Sequence, residues 1–438
     1  MSARLLSFLA LAAPAFAQEN VLVLVADDVG VDRIGAFREH PDPGRTPNID
    51  RLALSGVLFR NAWVSPMCSP TRANVLTGRF GFRTGIGDTI SGTGNGLSLD
   101  PAEWILPELL DRSPYGAYTN AALGKWHLAS NSFGPTHPLA TGFQTHAGSQ
   151  RNIGNYFQWP KAVNGVVSTV AVYATSDLAD DAIRTIAGAS EPWFVWVAFN
   201  ASHKPFHVPP DDLHSYALAG PPNETPVEHM KAMTEAMDTE IGRLLDNIDP
   251  EVLERTTIIF LGDNGTHGQA TDAPFSPLHA KGTIFERGVN VPLIIAGPRV
   301  EQPGSVCEAL VSATDLFTTI AEIGGVDPAS VIPPTTILDS VSLLPYLEDP
   351  HRSSLRDWVY AERFFPNGSG PYIYRLRTVR GPRFKLMRIQ SQQMITEQFF
   401  DLDTDPWEED NLLGQPLDER ARRAYLELTA ALEGLSGP

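Results

Sequence analysis

The sequence predicts an α/β fold, with a large mixed, mainly parallel sheet sandwiched by helices and a small C-terminal antiparallel-sheet subdomain. Apolar runs at residues 21–26, 193–199 and 257–261 have the continuous hydrophobicity of strands that are buried on both faces. Stretches with helical spacing alternate with these runs, among them a methionine stripe that begins at Met230. Residues 148–170 have no clear periodicity, and we predict a loop near the substrate there. Beyond Pro345 the pattern changes to short strands, which indicates a second, smaller sheet.

The chain length gives room for one large domain and a smaller one, since it has 438 residues. Residues 1–17 contain Arg4, an apolar run and the sequence Ala-Phe-Ala, a combination typical of a secretory signal peptide. We therefore predict a signal peptide at 1–17, a catalytic domain at 18–350 and an α+β subdomain at 351–438. No later stretch is apolar enough to span a membrane, so we expect an exported protein, periplasmic or secreted.

The formal net charge is −18, from 33 basic and 51 acidic residues. This balance argues against nucleic acid and anionic membranes as partners. An anionic substrate would not be attracted by the protein as a whole. It would need a local cationic pocket and a metal ion.

Acidic side chains follow two of the predicted strands. Asp27 and Asp28 come after the first strand, and Asp263 and Asn264 come after the strand at 257–261. In isolation the first pair could cap a helix and Asp-Asn-Gly could form a turn. Open α/β sheets bind ligands at the carboxyl ends of their strands, however, and the same arrangement occurs twice. Oxygen ligands that include a neutral amide suit Ca²⁺, with Mg²⁺ as the second choice.

Residues 65–79 form the segment on which the functional prediction depends. The pattern predicts an irregular stretch that becomes a helix at Cys68 and stops at Gly78. A cysteine at a helix start lies among free backbone N–H groups, and Arg72 follows one turn later, so an anion there is stabilised. The alternative is a buried structural cysteine. The chain has one other cysteine, Cys307, which we predict to be a core residue without a disulfide. It precedes a predicted helix that starts at Leu310 or Asp315 and ends at Ile323.

The spacing Cys68-x-Pro-x-Arg72, followed by Leu-Thr-Gly-Arg, resembles the signature of the type I sulfatases, in which a separate enzyme oxidises the cysteine to formylglycine. Lys125 and His127 belong to the string Gly-Lys-Trp-His-Leu, which resembles a second motif of the family. Lys281 begins a segment that resembles a third motif, Lys-Gly-x-x-x-Glu-x-Gly-x-x-x-Pro. The resemblance covers nearly the whole mature chain and implies the fold of the alkaline phosphatase superfamily.

The family's Pro-His-x-Pro motif is matched at His203 and Pro205, with Ser202 in place of the first proline. His203 is therefore the predicted active histidine, and His207 is the second candidate.

The resemblance also implies a role for each matching residue. The aldehyde at position 68 would hydrate, and one hydroxyl, held by a metal ion and Arg72, would attack the ester sulfur. Lys125 and Lys281 would bind the sulfate oxygens, and His203, with help from Lys281, would protonate the leaving alcohol. His127 would then deprotonate the second hydroxyl so that sulfate is released. The implied calcium ligands are Asp27, Asp28, the residue at position 68, Asp263 and Asn264.

The sequence thus predicts an enzyme that hydrolyses sulfate monoesters through a formylglycine made from Cys68 and a bound Ca²⁺. Its partners would be a sulfated small molecule or carbohydrate as substrate and a formylglycine-generating enzyme during maturation. One alternative is a phosphonate monoester or phosphodiester hydrolase of the same superfamily. Another is a sulfated-glycan binding protein without activity, against which the two histidines argue because binding needs no proton transfer.

Overall fold

The computed structural model describes residues 18–91 and 97–435, so the predicted signal peptide lies outside the described residues. The strands are β1 (Asn20–Ala26), β2 (Gly56–Trp63), β3 (Thr119–Gly124), β4 (Thr145–Gly148), β5 (Trp159–Val163), β6 (Val166–Val170), β7 (Trp193–Ala198), β8 (Thr256–Gly262), β9 (Leu293–Ala296), β10 (Ser305–Ser312), β11 (Val359–Phe365), β12 (Tyr374–Arg380), β13 (Phe384–Ser391) and β14 (Ile395–Asp401).

The α-helices are α1 (Pro47–Ser55), α2 (Cys68–Thr77), α3 (Gly81–Thr84), α4 (Leu106–Leu110), α5 (His137–Ala140), α6 (Ala174–Gly188), α7 (Pro226–Asp246), α8 (Pro250–Leu253), α9 (Glu286–Val289), α10 (Asp315–Ile323), α11 (Pro328–Val331), α12 (Leu344–Glu348) and α13 (Glu419–Gly434). Single-turn 3₁₀ helices lie at Val31–Arg33, Gly35–Phe37, Gly268–Ala270, Pro277–His279 and Leu412–Gly414. No helix of the described chain has the length and apolar character that crossing a membrane requires.

Ten strands form the large sheet, in the order β10-β2-β9-β8-β1-β7-β3-β4-β5-β6. The central strands β8, β1, β7 and β3 run parallel to one another, whereas β9, β5 and β6 pair antiparallel with their neighbours. The predicted mixed, mainly parallel sheet is therefore confirmed. Because β1 lies between β8 and β7, the loops that follow these strands meet at one edge of the sheet.

The sheet is covered on both faces, which explains why β1 is apolar at every position. Val21, Val23 and Val25 belong to the core cluster on one face, where Leu76 of α2 and Phe317 of α10 also pack. Leu22 and Leu24 point to the other face, where they join the methionine stripe of α7. The predicted stripe is confirmed: Met230 is fully buried, and the other members belong to this second cluster, namely Met233, Met237, Ile241, Leu244, Leu245 and Ile248.

The smaller sheet consists of β11, β12, β13 and β14 in sequence order, all antiparallel. Leu386 and Phe399 of this sheet pack with Leu428 and Leu432 of α13. The change of pattern after Pro345 therefore marks a real change of architecture. The boundary of the catalytic domain at residue 350 stays a prediction.

Two local predictions were wrong. The helix that ends at Ile323 begins at Asp315, one of its two predicted starts, so the start at Leu310 was wrong; β10 with Cys307 precedes it, paired parallel with β2. The Asp315 carboxylate accepts the N–H of Ser312 at 2.8 Å, which ends the strand and starts the helix. The region 148–170, predicted as a loop, contains the β5–β6 hairpin, whose turn residues Asn164 and Gly165 both have positive φ. An Asn-Gly pair between two strands is the typical sequence of such a hairpin turn. Both cysteines are free, in agreement with the prediction of no disulfide.

Candidate active site

The carboxyl ends of β1 and β8 bring four polar side chains together. Asp27 and Asp28 follow β1, and Asp263 and Asn264 follow β8, with Ala26 and Gly262 in register. All four side chains are fully buried. The backbone N–H of Asp28 donates to Asp263 Oδ1 at 3.2 Å, which joins the two strand ends. Asp28 has φ of 64°, a left-handed conformation that Asp tolerates and that turns the chain sharply after the strand.

Cys68 is the first residue of α2, as the sequence predicted, and Gly78 ends the helix with φ of 68°. Every residue of this helix is buried, and Cys68 is only 1% exposed. The hydroxyl of Thr71 donates to the carbonyl of Ser65 at 3.0 Å, which holds the approach to the helix in place. Burial raises the pKa of the Cys68 thiol, although Lys125 and Lys281 lower it in part. An unmodified cysteine here is therefore protonated at neutral pH, which makes it a poor nucleophile.

Each of the three buried carboxylates is paired with one cation. Lys125 contacts Asp27, and Lys281 contacts Asp28. Arg72 donates to Asp263 Oδ2 from Nε at 3.1 Å and from Nη2 at 2.8 Å. The Lys281 ammonium also lies 4.0 Å from Cys68 Sγ. The side chains of three distant motifs thus surround the cysteine.

These pairs determine the charge state of Asp27 and Asp28. Burial raises the pKa of both carboxyl groups, but the lysines and His203 more than offset it, so both pKa values lie below the ordinary range. Burial and the neighbouring charge of Asp27 raise the pKa of Asp263 to about 6, with Arg72 acting in the opposite direction. Because these buried carboxylates stay ionised, they stabilise a further cation that binds beside them.

The oxygen atoms in this cluster fit a hard cation. Asp27 Oδ1, Asp28 Oδ2 and Asn264 Oδ1 are buried and have no hydrogen-bond partner among the described residues. Ligand atoms of Asp27, Cys68 and Asp263 lie within 4.8 Å of one another, and so do those of Asp27, Asp28 and His203. Buried polar atoms without partners are rare because each costs desolvation energy, so these oxygens indicate a ligand. Carboxylate and amide oxygens are the ligands that Ca²⁺ and Mg²⁺ prefer.

The strand β3 positions Lys125 and His127. Gly124 ends this strand with φ of 84°, and a Cβ at this position would lie 2.0 Å from the carbonyl oxygen of Ala198, so only glycine fits. His127 is buried, and its Nδ1 has no hydrogen-bond partner in the described chain. Burial, followed by Lys125 and Arg72, lowers the pKa of His127 well below its usual value. The ring is therefore neutral and able to accept a proton.

Of the two histidines after β7, His203 lies in the site and His207 does not. His203 Nε2 is 3.9 Å from Asp28 Oδ2, and its Nδ1 lies 2.6 Å from the carbonyl oxygen of Lys204. Burial lowers the pKa of His203, although Asp28 and Asp27 raise it in part. His207 packs instead against the rings of Tyr156 and Tyr173, and its Nε2 is 3.1 Å from the Tyr173 hydroxyl.

A cavity of about 390 Å³ opens over Cys68, His203 and Lys281. These three residues were predicted from the sequence, but other residues of the wall were not: Thr89, Asn152, Lys204, His267 and Arg363. Lys204 and His267 are close in sequence to predicted site residues and could have been inferred. Arg363 comes from the smaller sheet, and no local pattern marks it.

Comparisons with known proteins agree with this geometry. The family model described as "Sulfatase" matches residues 19–326, and the model "N-sulphoglucosamine sulphohydrolase, C-terminal" matches residues 277–434. The chain is 30% identical to N-acetylgalactosamine-6-sulfatase of Rattus norvegicus over 380 residues, which is 78% of this chain and 68% of the relative. It is 28% identical to arylsulfatase G of the same species over 425 residues, 84% of this chain and 76% of the relative.

Solved structures have the same fold. The chain resembles Ps i-CgsB in complex with k-i-k-neocarrahexaose, with a TM-score of 0.78, 25% identity and coverage of 95% of this chain and 92% of the other. The fold also matches that of a protein solved with its substrate D-glucosamine-2-N,6-O-disulfate, with a TM-score of 0.75 at 20% identity and coverage of 95% and 97%. The chain therefore belongs to the sulfatase family, within the alkaline phosphatase superfamily, and is an enzyme that hydrolyses sulfate esters.

Proposed function

We propose that this sulfatase removes sulfate from a sulfated carbohydrate, using a formylglycine formed from Cys68 and a Ca²⁺ held at the carboxyl ends of β1 and β8. One observation carries the proposal: beside Cys68 lies a cluster of three buried carboxylates, each paired with a cation, and one amide. Three oxygens of this cluster, on Asp27, Asp28 and Asn264, are buried without a hydrogen-bond partner among the described residues. The carbohydrate is inferred from the relatives, one named N-acetylgalactosamine-6-sulfatase and one solved with k-i-k-neocarrahexaose.

The residues that would hold Ca²⁺ are Asp27, Asp28, Asp263, Asn264 and the side chain at position 68. When bound, the ion would neutralise negative charge on the sulfate and ease deprotonation of the nucleophile. The hydrated aldehyde would supply an oxygen nucleophile, which the protonated Cys68 thiol cannot. The preference for Ca²⁺ over zinc follows from the ligand types, because the set has no thiolate once Cys68 is modified.

The remaining residues act on the sulfate and on protons. Lys281 lies beside Cys68 and, with Lys125, would hold the sulfate oxygens while charge shifts between them. Arg72 keeps Asp263 in place and so fixes one wall of the site. His127 is neutral and would take a proton from residue 68 when sulfate leaves.

His203 would give a proton to the departing alcohol. Burial favours its neutral form in the free enzyme, but a negatively charged ester bound beside it favours the protonated form. The Tyr156 hydroxyl donates to the backbone carbonyl oxygen of His203 at 2.7 Å, which fixes the backbone that carries the ring.

The proposal is tested with protein made in a host that contains the formylglycine-generating enzyme. We expect turnover of 4-nitrophenyl sulfate to be lost in a strong chelator and restored by Ca²⁺. Asp263→Asn should raise the Ca²⁺ concentration for half-maximal activity by about tenfold or more, because one ligand charge is removed. A bis-aryl phosphate tested in parallel measures the alternative phosphodiesterase activity.

The matched control is Asp181→Asn, which changes a buried carboxylate outside the cavity wall and the candidate metal cluster while Lys161 keeps its second partner, Asp177. This variant should keep the Ca²⁺ dependence of the parent. Full activity of the metal-free protein would refute the metal site. Faster turnover of the phosphate diester than of any sulfate would refute the proposed substrate class.

A further inference from the structure

The cavity over Cys68 has a wall of one charge sign. Lys204, Lys281 and Arg363 line it, and none of its described lining residues is acidic. The protein as a whole has the opposite balance, with a net charge of −18. In the proposed function Lys281 binds the scissile sulfate, whereas Lys204 and Arg363 have no assigned role in binding it.

Arg363 extends from β11 of the smaller sheet to the cavity and is held at two of its three nitrogens. Its Nε donates to Asp88 Oδ2 at 2.9 Å, and its Nη1 donates to the carbonyl oxygen of Gly282 at 2.8 Å. Gly282 directly follows Lys281, so the guanidinium lies next to the backbone that carries this lysine. The Tyr374 side chain also interacts with this guanidinium, and the Arg363 side chain is 25% exposed.

Asp88 is itself fixed, which makes the position of Arg363 rigid. Thr89 donates its N–H to Asp88 Oδ1 at 2.7 Å, and the Tyr374 hydroxyl donates to Oδ2. The amide of Asn367 accepts the N–H of Asp88 at 2.7 Å and donates to its carbonyl oxygen at 3.1 Å. A guanidinium held in advance loses little conformational entropy when it binds an anion.

Lys204 provides a second positive charge on the His203 side of the cavity. It follows His203 in the chain, its side chain is exposed, and it forms no ion pair with any described residue. The unpaired ammonium and the outer edge of Arg363 therefore both border the space next to the scissile sulfate.

We propose that Arg363 and Lys204 bind a second oxyanion of the substrate, a sulfate or a carboxylate beside the scissile sulfate, so that the enzyme prefers multiply charged carbohydrates. This inference rests on the proposed carbohydrate sulfatase function. Hydroxyl groups alone would not need two cations, whereas charge-assisted hydrogen bonds to an oxyanion are about twice as strong as neutral ones.

The test uses three substrates that share one sugar and one scissile sulfate: the monosulfated sugar, the same sugar with a second sulfate, and the same sugar with a carboxylate. The measured quantity is the ratio of kcat/KM for each doubly charged substrate to kcat/KM for the monosulfated one. In Arg363→Gln we expect this ratio to fall about tenfold or more. Arg363→Lys should retain part of it, because the charge stays but the planar fork is lost. The doubly charged substrate whose kcat/KM ratio falls in Arg363→Gln shows whether the second anion is a sulfate or a carboxylate.

Lys204→Met should lower the same ratio, and it breaks no ion pair of the described chain, so loss of an ion pair cannot explain its effect. The control is Arg388→Gln, which removes an arginine paired with Glu397 in the same sheet but outside the cavity wall. Unchanged ratios in both Arg363→Gln and Lys204→Met would overturn the proposal. An equal fall of kcat/KM on all three substrates would also overturn the proposal, because Arg363 would then act only by supporting the loop that carries Lys281. A parent enzyme that turns over no sulfate at all would refute the proposed function itself, and the inference with it.

Discussion

Arg72 is the buried cation whose loss we expect to cost the most stability. Its Nε and Nη2 both donate to Asp263 Oδ2, its Nη1 donates to the carbonyl oxygen of Lys125, and both charged side chains are almost fully buried. Arg72→Met keeps most of the apolar stem but leaves the Asp263 carboxylate beside Asp27 without its partner. Removing one member of a buried ion pair costs about 3–5 kcal/mol.

This cost converts into a change of Tm through the unfolding entropy. For 438 residues at about 2.1 cal/mol/K each, the entropy is about 0.9 kcal/mol/K, so Tm should fall by about 3–5 °C. The assay is thermal unfolding in a chelator and again in excess Ca²⁺, where a cation near Asp263 should make the fall smaller. The control Arg51→Met breaks an exposed pair with Asp246 and should shift Tm by less than about 1 °C. A fall of less than about 1 °C for Arg72→Met in the chelator would refute the reasoning.

Cys68 and His146 give two further expected outcomes. Cys68→Ser keeps an oxygen nucleophile but has no second hydroxyl on the same carbon to expel sulfate. We therefore expect this variant to release about one equivalent of phenol from an aryl sulfate and to accumulate a peptide sulfated on the introduced serine. Sustained turnover would show that residue 68 is not the nucleophile. His146 is buried, neither of its ring nitrogens has a hydrogen-bond partner in the part of the chain that the structure describes, and burial lowers its pKa to about 4. Its pKa is lower in the folded chain than in the unfolded one. The contribution of neutral His146 to the free energy of unfolding is therefore fully present above pH 6.5 and falls by about 3 kcal/mol as the pH falls towards 4. His146→Leu should lack this loss, and equal acid sensitivity of parent and variant in urea unfolding would contradict it.

The sequence could predict the convergence of the site because the strand-end rule needs only local patterns. An apolar run followed by acidic residues places Asp27 and Asp263 at one sheet edge once the strands are parallel, and β1 and β8 are neighbours. Family motifs then added Lys125 and His203, which have no recognisable local signal of their own. The structure brings these residues to the same cavity or to the carboxylates beneath it.

Residues that depend on long-range packing could not be predicted in this way. Arg363 and Asp88 are 275 positions apart, and their contact exists only because the smaller sheet packs beside the cavity. Residues 310–312 show a different failure: they were predicted as the start of a helix, although parallel pairing with β2 makes them part of a strand. The pairing partner outweighs local preference, which is weak for short apolar runs.

The central claim is that formylglycine at position 68 is responsible for catalysis, and peptide mass spectrometry across residues 65–79 tests it most directly. Preparations made with increasing amounts of the formylglycine-generating enzyme would be compared for the fraction of aldehyde at position 68 and for turnover of 4-nitrophenyl sulfate at saturating Ca²⁺. We predict that turnover rises in proportion to the aldehyde fraction and extrapolates to zero where only Cys68 is present. Preparations that are fully active while position 68 is an unmodified thiol would contradict the claim.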